Sequence, residues 1–443
     1  MKKSILALAA SFAMISCGLT ACDNNENEDN NQNVQIKEVK SALSRADSNI
    51  SADNLKSFVK GQYDLNFDLI RASNEQISNN NAMISTFSIQ MALGMTWGGA
   101  DDDNAAEMKQ VLHFDDNTHE ALNKLDASIN HKNAPAVKTD DGEIEAVEIK
   151  TSNNLYFATN LYEWSKDWLD LLATNYGAGL KEINFSADPE AARKYINDVV
   201  SDDTHNRIKD LIPENEINAN TQAVITNAIY FKSPWGKSVI KSDNMMSFHK
   251  LDNSNVDVNY LFVSENLNYM ADADNNYQAV SVPLRNDAFN VMFILPAENK
   301  FEEIQNSLNG TVISDIFDKM SDNTEVSLSF PSYSFETSLD LKSPLKKLGM
   351  VKAFEGGFQK MTAPQSNSLC IGEVFHKTFI GMDEKGVEAA AATAVLMENK
   401  ATPIPEEKIV LSLDRPYYFV IYESDSKSPL FVGRVMDPSA GHE

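Results

Sequence analysis

Cysteine is scarce: the 443 residues hold three, at positions 17, 22 and 370. Cys17 falls inside an N-terminal leader and Cys22 at its end, so Cys370 is left without an internal partner. That excludes a disulfide framework and any C-x-x-C redox site. Basic residues are outnumbered, 38 Lys and Arg against 64 Asp and Glu, for a formal charge of -26. Such a surface repels phosphate backbones, so no nucleic-acid partner is expected. G-x-S-x-G, H-E-x-x-H and P-loop motifs are missing; Gly236-Lys237-Ser238 ends like a phosphate loop, but Phe231 occupies the place of its first glycine. The seven histidines show no ligand spacing. Neither an enzyme nor a metal or cofactor site is expected. No apolar run reaches the roughly 20 residues of a membrane span.

What is present begins at the N-terminus. Lys2 and Lys3 precede the apolar run Ile5 to Ala10 and Phe12 to Ile15, which reads as a secretory leader over residues 1–21. Leu19-Thr20-Ala21-Cys22 at its end has the form of a bacterial lipobox, making Cys22 the expected lipidation site. Residues 23–31 contain only Asp, Asn and Glu, and 22–53 are expected to form a flexible acidic and Asn-rich tether. An acidic run behind a lipid site also resembles surface-export signals of Gram-negative lipoproteins. The expected location is therefore the bacterial outer membrane, with the lipid as the sole membrane contact and the cell surface as one face open to it.

From Asn54 to Pro438 the pattern is globular, with 439–443 as a short tail. Leu55, Phe58, Val59, Tyr63 and Phe67 recur at helical spacing, as do Ile89 to Met95 before Gly98-Gly99. Further helices are expected at 168–176 and 191–200. Strand-like runs follow at 223–231, 279–284, 290–295, 326–330, 375–381, 409–413, 417–422 and 430–435. Helices early and strands late, without alternation, indicate an α+β fold in one domain rather than a parallel α/β sheet.

The informative stretch is Gly381 to Pro405, with four consecutive alanines at its centre. Local propensity favours a helix. As a strand, the same residues sort by parity: Val387, Ala389, Ala391, Thr393, Val395 and Met397 form an uncharged face, while Glu388 and Glu398 fall on the other with Ala390, Ala392, Ala394 and Leu396. A slip of one residue would bury both acids, so the register is specified. Pro403 and Pro405 keep the following chain out of helix.

Asp383-Glu384-Lys385-Gly386-Val387-Glu388 and the alanines resemble the proximal hinge and reactive loop of the serpins. Asn227-Ala228-Ile229-Tyr230-Phe231-Lys232 with Trp235, Phe330-Pro331-Ser332-Tyr333, Phe375-His376-Lys377 and Ser428-Pro429-Leu430-Phe431-Val432-Gly433-Arg434-Val435 are similar to further motifs of that family, in the family's order. Asn153 to Tyr156 and Thr204 to Ile212 add weaker matches. The resemblance implies a large, mostly antiparallel central sheet with additional sheets, a bundle of helices and an exposed C-terminal reactive loop. It implies a metastable, monomeric inhibitor that is cut in the loop, held as an acyl-enzyme and rescued from turnover by insertion of the loop into the sheet. Serpin loop insertion is itself a standard example of strand addition and of the release of stored strain. By position, Glu384, Gly386, Val387 and Glu388 are the hinge, with Ala389, Ala390, Ala391, Ala392 and Thr393 the inserting segment. Ser85, Ser88, Asn227 and His376 are a polar shutter under the sheet.

The family's spacing from the hinge places the reactive bond at Lys400-Ala401. Lysine there suits trypsin-like serine proteases, whose specificity pocket ends in an aspartate. Val395, Leu396 and Met397 are secondary sites open to elastase-like enzymes, and cysteine proteases are further candidate targets. Thr86 and Val199 depart from the family's usual proline and tryptophan, which puts local packing in question. The competing expectation is a non-inhibitory surface binding protein of the same family, cleaved only as a substrate.

Overall fold

The computed structural model describes residues 34–139, 142–274, 276–366, 368–388 and 408–441. In chain order the elements used below are β1 (Ile36–Val39), α1 (Ala52–Ala72), β2 (Ala82–Ile84), α2 (Thr86–Trp97), α3 (Thr118–His131), β3 (Glu148–Ala158), β4 (Leu180–Ile183), α4 (Pro189–Asp203) and β5 (Ala223–Pro234). Then come β6 (Tyr260–Ala271), β7 (Tyr277–Pro283), β8 (Phe289–Pro296), β9 (Ser321–Pro331), β10 (Tyr333–Asp340), β11 (Glu373–Met382), β12 (Gly386–Val387), β13 (Ile409–Ser412), β14 (Tyr417–Glu423) and β15 (Pro429–Val435). The α+β expectation is met.

A seven-stranded central sheet runs β1-β4-β3-β5-β12-β11-β10, mixed but mostly antiparallel. A second, larger sheet has the path β13-β9-β6-β7-β8-β14-β15-β2. The pattern of β5 explains why it sits centrally. Val224 and Ala228 pack with Ala192, Ile196 and Val200 of α4 on one face. Ile225, Ile229 and Phe231 enter the main core on the other. A strand apolar on both faces must be covered on both. α2 is buried all around, from Thr86 to Thr96, as a helix without a polar face must be. Ser85 caps its first turn, its side chain accepting from the Ser88 amide. Thr86 is buried and accepts from the Asn66 side chain at 3.3 Å, and Val199 is half-buried on α4, so both departures are accommodated.

One boundary needs correction. The tether expected over 22–53 ends earlier, because residues from Val34 belong to the folded unit. β1 pairs antiparallel with β4, Ile36 opposite Ile183 and Val39 opposite Leu180. Lys37 meets the buried Glu182 at 2.8 Å, and Ser41 donates to Asp170 at 2.5 Å. Arg45 grips α3: its Nε donates to Asn123 Oδ1 at 2.6 Å, and its guanidinium pairs with the buried Asp126. Its apolar residues Val34, Ile36, Val39 and Ile50 pack against the cores but are too sparsely spaced to read as an element, and the polar residues between them are held by hydrogen bonds and ion pairs. Arg45→Ala leaves Asp126 buried without its cation, and should lower stability by about 2 kcal/mol in chemical denaturation; an unchanged midpoint would show the strap to be incidental.

Candidate functional site

The site is a fork in the central sheet. β5 and β11 pair in parallel from Val224 opposite Glu373 to Ala228 opposite Lys377. Beyond that point they part, and β12 fills the mouth: Gly386 and Val387 pair with Pro234 and Ser233 of β5, and Val387 with Met382 of β11. Between base and mouth, residues 229–232 of β5 and 378–381 of β11 face each other without pairing.

The hinge is set by short-range chemistry. Asp383 Oδ1 accepts from the amides of Lys385 at 2.8 Å and Gly386 at 3.2 Å, closing a turn. Trp235 Nε1 donates to the Asp383 carbonyl at 2.8 Å, and the Trp235 amide to the Lys385 carbonyl at 3.1 Å. Glycine is required at 386 by close approach: a Cβ there would lie 2.3 Å from the Ser233 carbonyl oxygen. Glu384 is half-buried in the same turn. Val387 points inward and is 2 % exposed. That matches the parity reading, in which the uncharged face goes in.

Glu388 refines that reading. It lies on the opposite face from Val387, yet it is not in water: it is 7 % exposed, and Arg207 Nε donates to its Oε1 at 2.6 Å. Burial pushes its carboxyl up to about 7, against the pull of Arg207, Lys232 and His205. Its φ of 47° is left-handed, a conformation uncommon for glutamate and incompatible with a continuing strand. Its amide already donates to the Gly381 carbonyl at 2.6 Å.

Beneath the fork, the structure brings Ser85, Ser88, Asn227 and His376 together, all fully or almost fully buried. His376 of β11 and Asn227 of β5 are register partners. The Ser85 amide donates to His376 Nε2 at 3.2 Å, so the ring proton sits on Nδ1, which donates to Asn227 Oδ1 at 2.6 Å. Asn227 Nδ2 donates to Ser88 Oγ at 2.7 Å and to Asn153 Oδ1 at 2.9 Å, and Ser88 Oγ donates to Asn153 at 3.0 Å. Burial draws the His376 imidazole down to about 3, so it is neutral in this network at physiological pH.

Two members of the site lie in the weaker family matches, but their partners are not readable from the sequence. Asn153 lies opposite Asn227 in the β3–β5 register, which only strand pairing reveals. Arg207 is far from Glu388 in sequence, and nothing in either local pattern announces the pair. Cys22, Ala389 to Thr393, the secondary sites Val395 to Met397, and the bond Lys400-Ala401 lie outside the described residues. Among the described residues, no helix is long and apolar enough to cross a membrane.

Comparison with known proteins bears on the same region. The family model described as "Serpin (serine protease inhibitor)" matches residues 60–438. An uncharacterized serpin-like protein of Thermococcus kodakarensis is 32% identical over 368 residues, covering 82% of this chain and 82% of that protein. The leukocyte elastase inhibitor of Equus caballus is 30% identical over 385 residues, covering 84% of this chain and 97% of that one. Among solved structures, the native state of the thermophilic serpin tengpin superposes with a TM-score of 0.76 at 25% identity, covering 91% of this chain and 100% of that one.

Proposed function

Since the chain belongs to the serpin family of serine protease inhibitors, we propose that it inhibits trypsin-like proteases irreversibly, through cleavage at Lys400-Ala401 and insertion of the loop into the central sheet. The observation that carries this reading is the fork, with Gly386-Val387 already seated between β5 and β11 and the next four residues of each strand parted. A pre-parted sheet lowers the cost of adding a strand, and the uncharged inward face of Val387 is what such a strand must present.

In the reaction, the protease serine oxygen attacks the Lys400 carbonyl carbon. The Lys400–Ala401 amide bond breaks, and Ala401 leaves as a free amine carrying the serine's proton. An ester then links Lys400 to the protease. Val387 to Lys400 is 14 residues, roughly 46 Å as a strand, a distance suited to carrying the attached protease along the sheet. Insertion competes with hydrolysis of the ester, and the winner decides between trapped complex and cut substrate.

Trypsin mixed with the full chain should give a band of summed mass that survives denaturing electrophoresis, with Ala401 as the new N-terminus of the released fragment. Lys400→Glu should slow that reaction about a thousandfold or more, because the aspartate of the pocket then faces a like charge. Cut chain alone, with no band of summed mass, would favour the substrate-only binding protein.

A further inference from the structure

The strand ladder alone does not explain why the hinge stops at Val387. The next residues of β5 and β11 are already parted, and the Glu388 amide already bonds across to Gly381. What ends the strand is Glu388, whose left-handed backbone aims its carboxylate at Arg207, in the segment joining α4 to β5. Arg207 is itself braced, its guanidinium lying 5.2 Å from the centre of the Phe379 ring of β11. Further insertion requires Glu388 to become extended, which swings the carboxylate away from this partner.

We propose that Arg207 is a positioning residue for the hinge: by clamping the buried Glu388 carboxylate it holds the loop at a depth of one residue until the loop is cut. The proposal rests on the insertion reading above and names the group that sets when insertion begins. It also defines a dependence on pH. The charged groups around Glu388 are Arg207 and His205 after α4, Lys232 on β5, and Glu145 and Glu148 at the edge of β3. Tyr230 of β5 stays protonated, its phenol raised by burial. His205 is engaged with Glu148 at 2.7 Å, Lys232 with Glu145 at 2.9 Å, and Lys377 of β11 with Glu336 at 3.1 Å. Arg207 is therefore the cation in direct contact with the Glu388 carboxylate.

The sign follows from the raised carboxyl, about 7 where clamped against an ordinary value of about 4.5. The clamped state binds the proton more tightly, so relative to any state with Glu388 in water it is favoured below about 4.5 and loses that advantage as pH rises through 7. Arg207 matters once the carboxylate is ionised, above pH 7, where it is the partner that keeps the buried charge tolerable.

Amide hydrogen exchange over residues 381–388 at pH 6 and pH 8, corrected for intrinsic rates, tests this on the intact chain. Arg207→Ala should lose protection about tenfold or more at pH 8 and little at pH 6, a tenfold change being one unit of proton affinity. Arg207→Lys should restore most of it, and Glu388→Gln should respond weakly to pH. With trypsin, Arg207→Ala at pH 8 should trap a larger fraction of encounters, because insertion starts sooner. Equal protection in wild type and Arg207→Ala at pH 8, or the same loss at both pH values, would overturn the clamp. These outcomes are separate from the wild-type reaction with trypsin: a chain that is only cut sinks the inhibitory reading, whatever the exchange shows.

Discussion

A Val387→Arg variant mixed with trypsin is expected to yield cut chain and free, active enzyme, where the parent yields the covalent complex. The cause is local. Val387 is 2 % exposed and sits between Ser233 and Met382 with its side chain toward the main core. Arginine at that rung would place a guanidinium among apolar side chains without a carboxylate to receive it, costing several kcal/mol. The first inward residue would then hold the rest of the segment out, and hydrolysis of the ester would win. Cutting the loop should raise the melting temperature of the parent sharply and that of the variant little, since only the parent gains a strand. Val387→Thr, similar in size and uncharged, should keep most of the trapping. A full-strength complex from the arginine variant would mean that the segment does not enter the sheet.

The second large effect concerns acid. His376 is completely buried and neutral, its pKa drawn from an ordinary 6.5 to about 3 by burial. A depressed histidine gives stability that is complete above about 6.5 and is lost as pH falls toward the folded value, because the unfolded chain binds the proton first. Between those limits the loss is about 1.4 kcal/mol per pH unit, enough to remove much of a marginal fold by pH 4. His376→Gln cannot titrate, but its amide can still bond to Asn227 and the Ser85 amide. It should start less stable at pH 8, by about 1–3 kcal/mol, and show a shallower decline between pH 6.5 and 4. Parallel declines in the two proteins would assign the acid sensitivity elsewhere. Glu388 acts with the opposite sign over 4.5 to 7, so pairing His376→Gln with Glu388→Gln separates the two.

The second sheet was largely legible in the sequence because its central strands are apolar runs. Phe289–Pro296 and Tyr417–Glu423 are buried almost throughout, and their sequences reveal it. Glu148–Ala158 escaped the strand reading although it is central, since Lys150, Thr151, Ser152, Asn153 and Asn154 interrupt its apolar pattern. Two of those polar residues serve specific partners: Asn153 the shutter, and Ser152 a hydrogen bond to Asp203 at 2.7 Å. The shutter residues came from family resemblance, because an isolated Ser, Asn or His carries no local signal of sharing one network. The parity of the hinge was readable and holds at Val387. The burial of Glu388 was not, because it depends on a cation brought close only by tertiary structure. The strap failed for the same reason: Arg45 looks like tether until Asp126 is opposite it.

The fork also gives the sheet a direction of assembly. Counting on from Val387 opposite Ser233 and Met382, residues 388 to 391 would occupy the stretch where the neighbours have already separated, so their addition breaks no existing ladder. Residue 392 would be the first to divide a formed pair, Ala228 from Lys377, and Thr393 the next, arriving between Asn227 and His376. In such a zipper the Glu388–Arg207 contact opposes the first step, the next three residues would divide no formed pair, and resistance would return at a depth where the newcomer is the one residue of its uncharged face, from 387 to 397, that carries a hydroxyl. On the proposed insertion, substitutions above that depth would act on how soon closure starts, and those below it on how firmly the closed molecule stays shut.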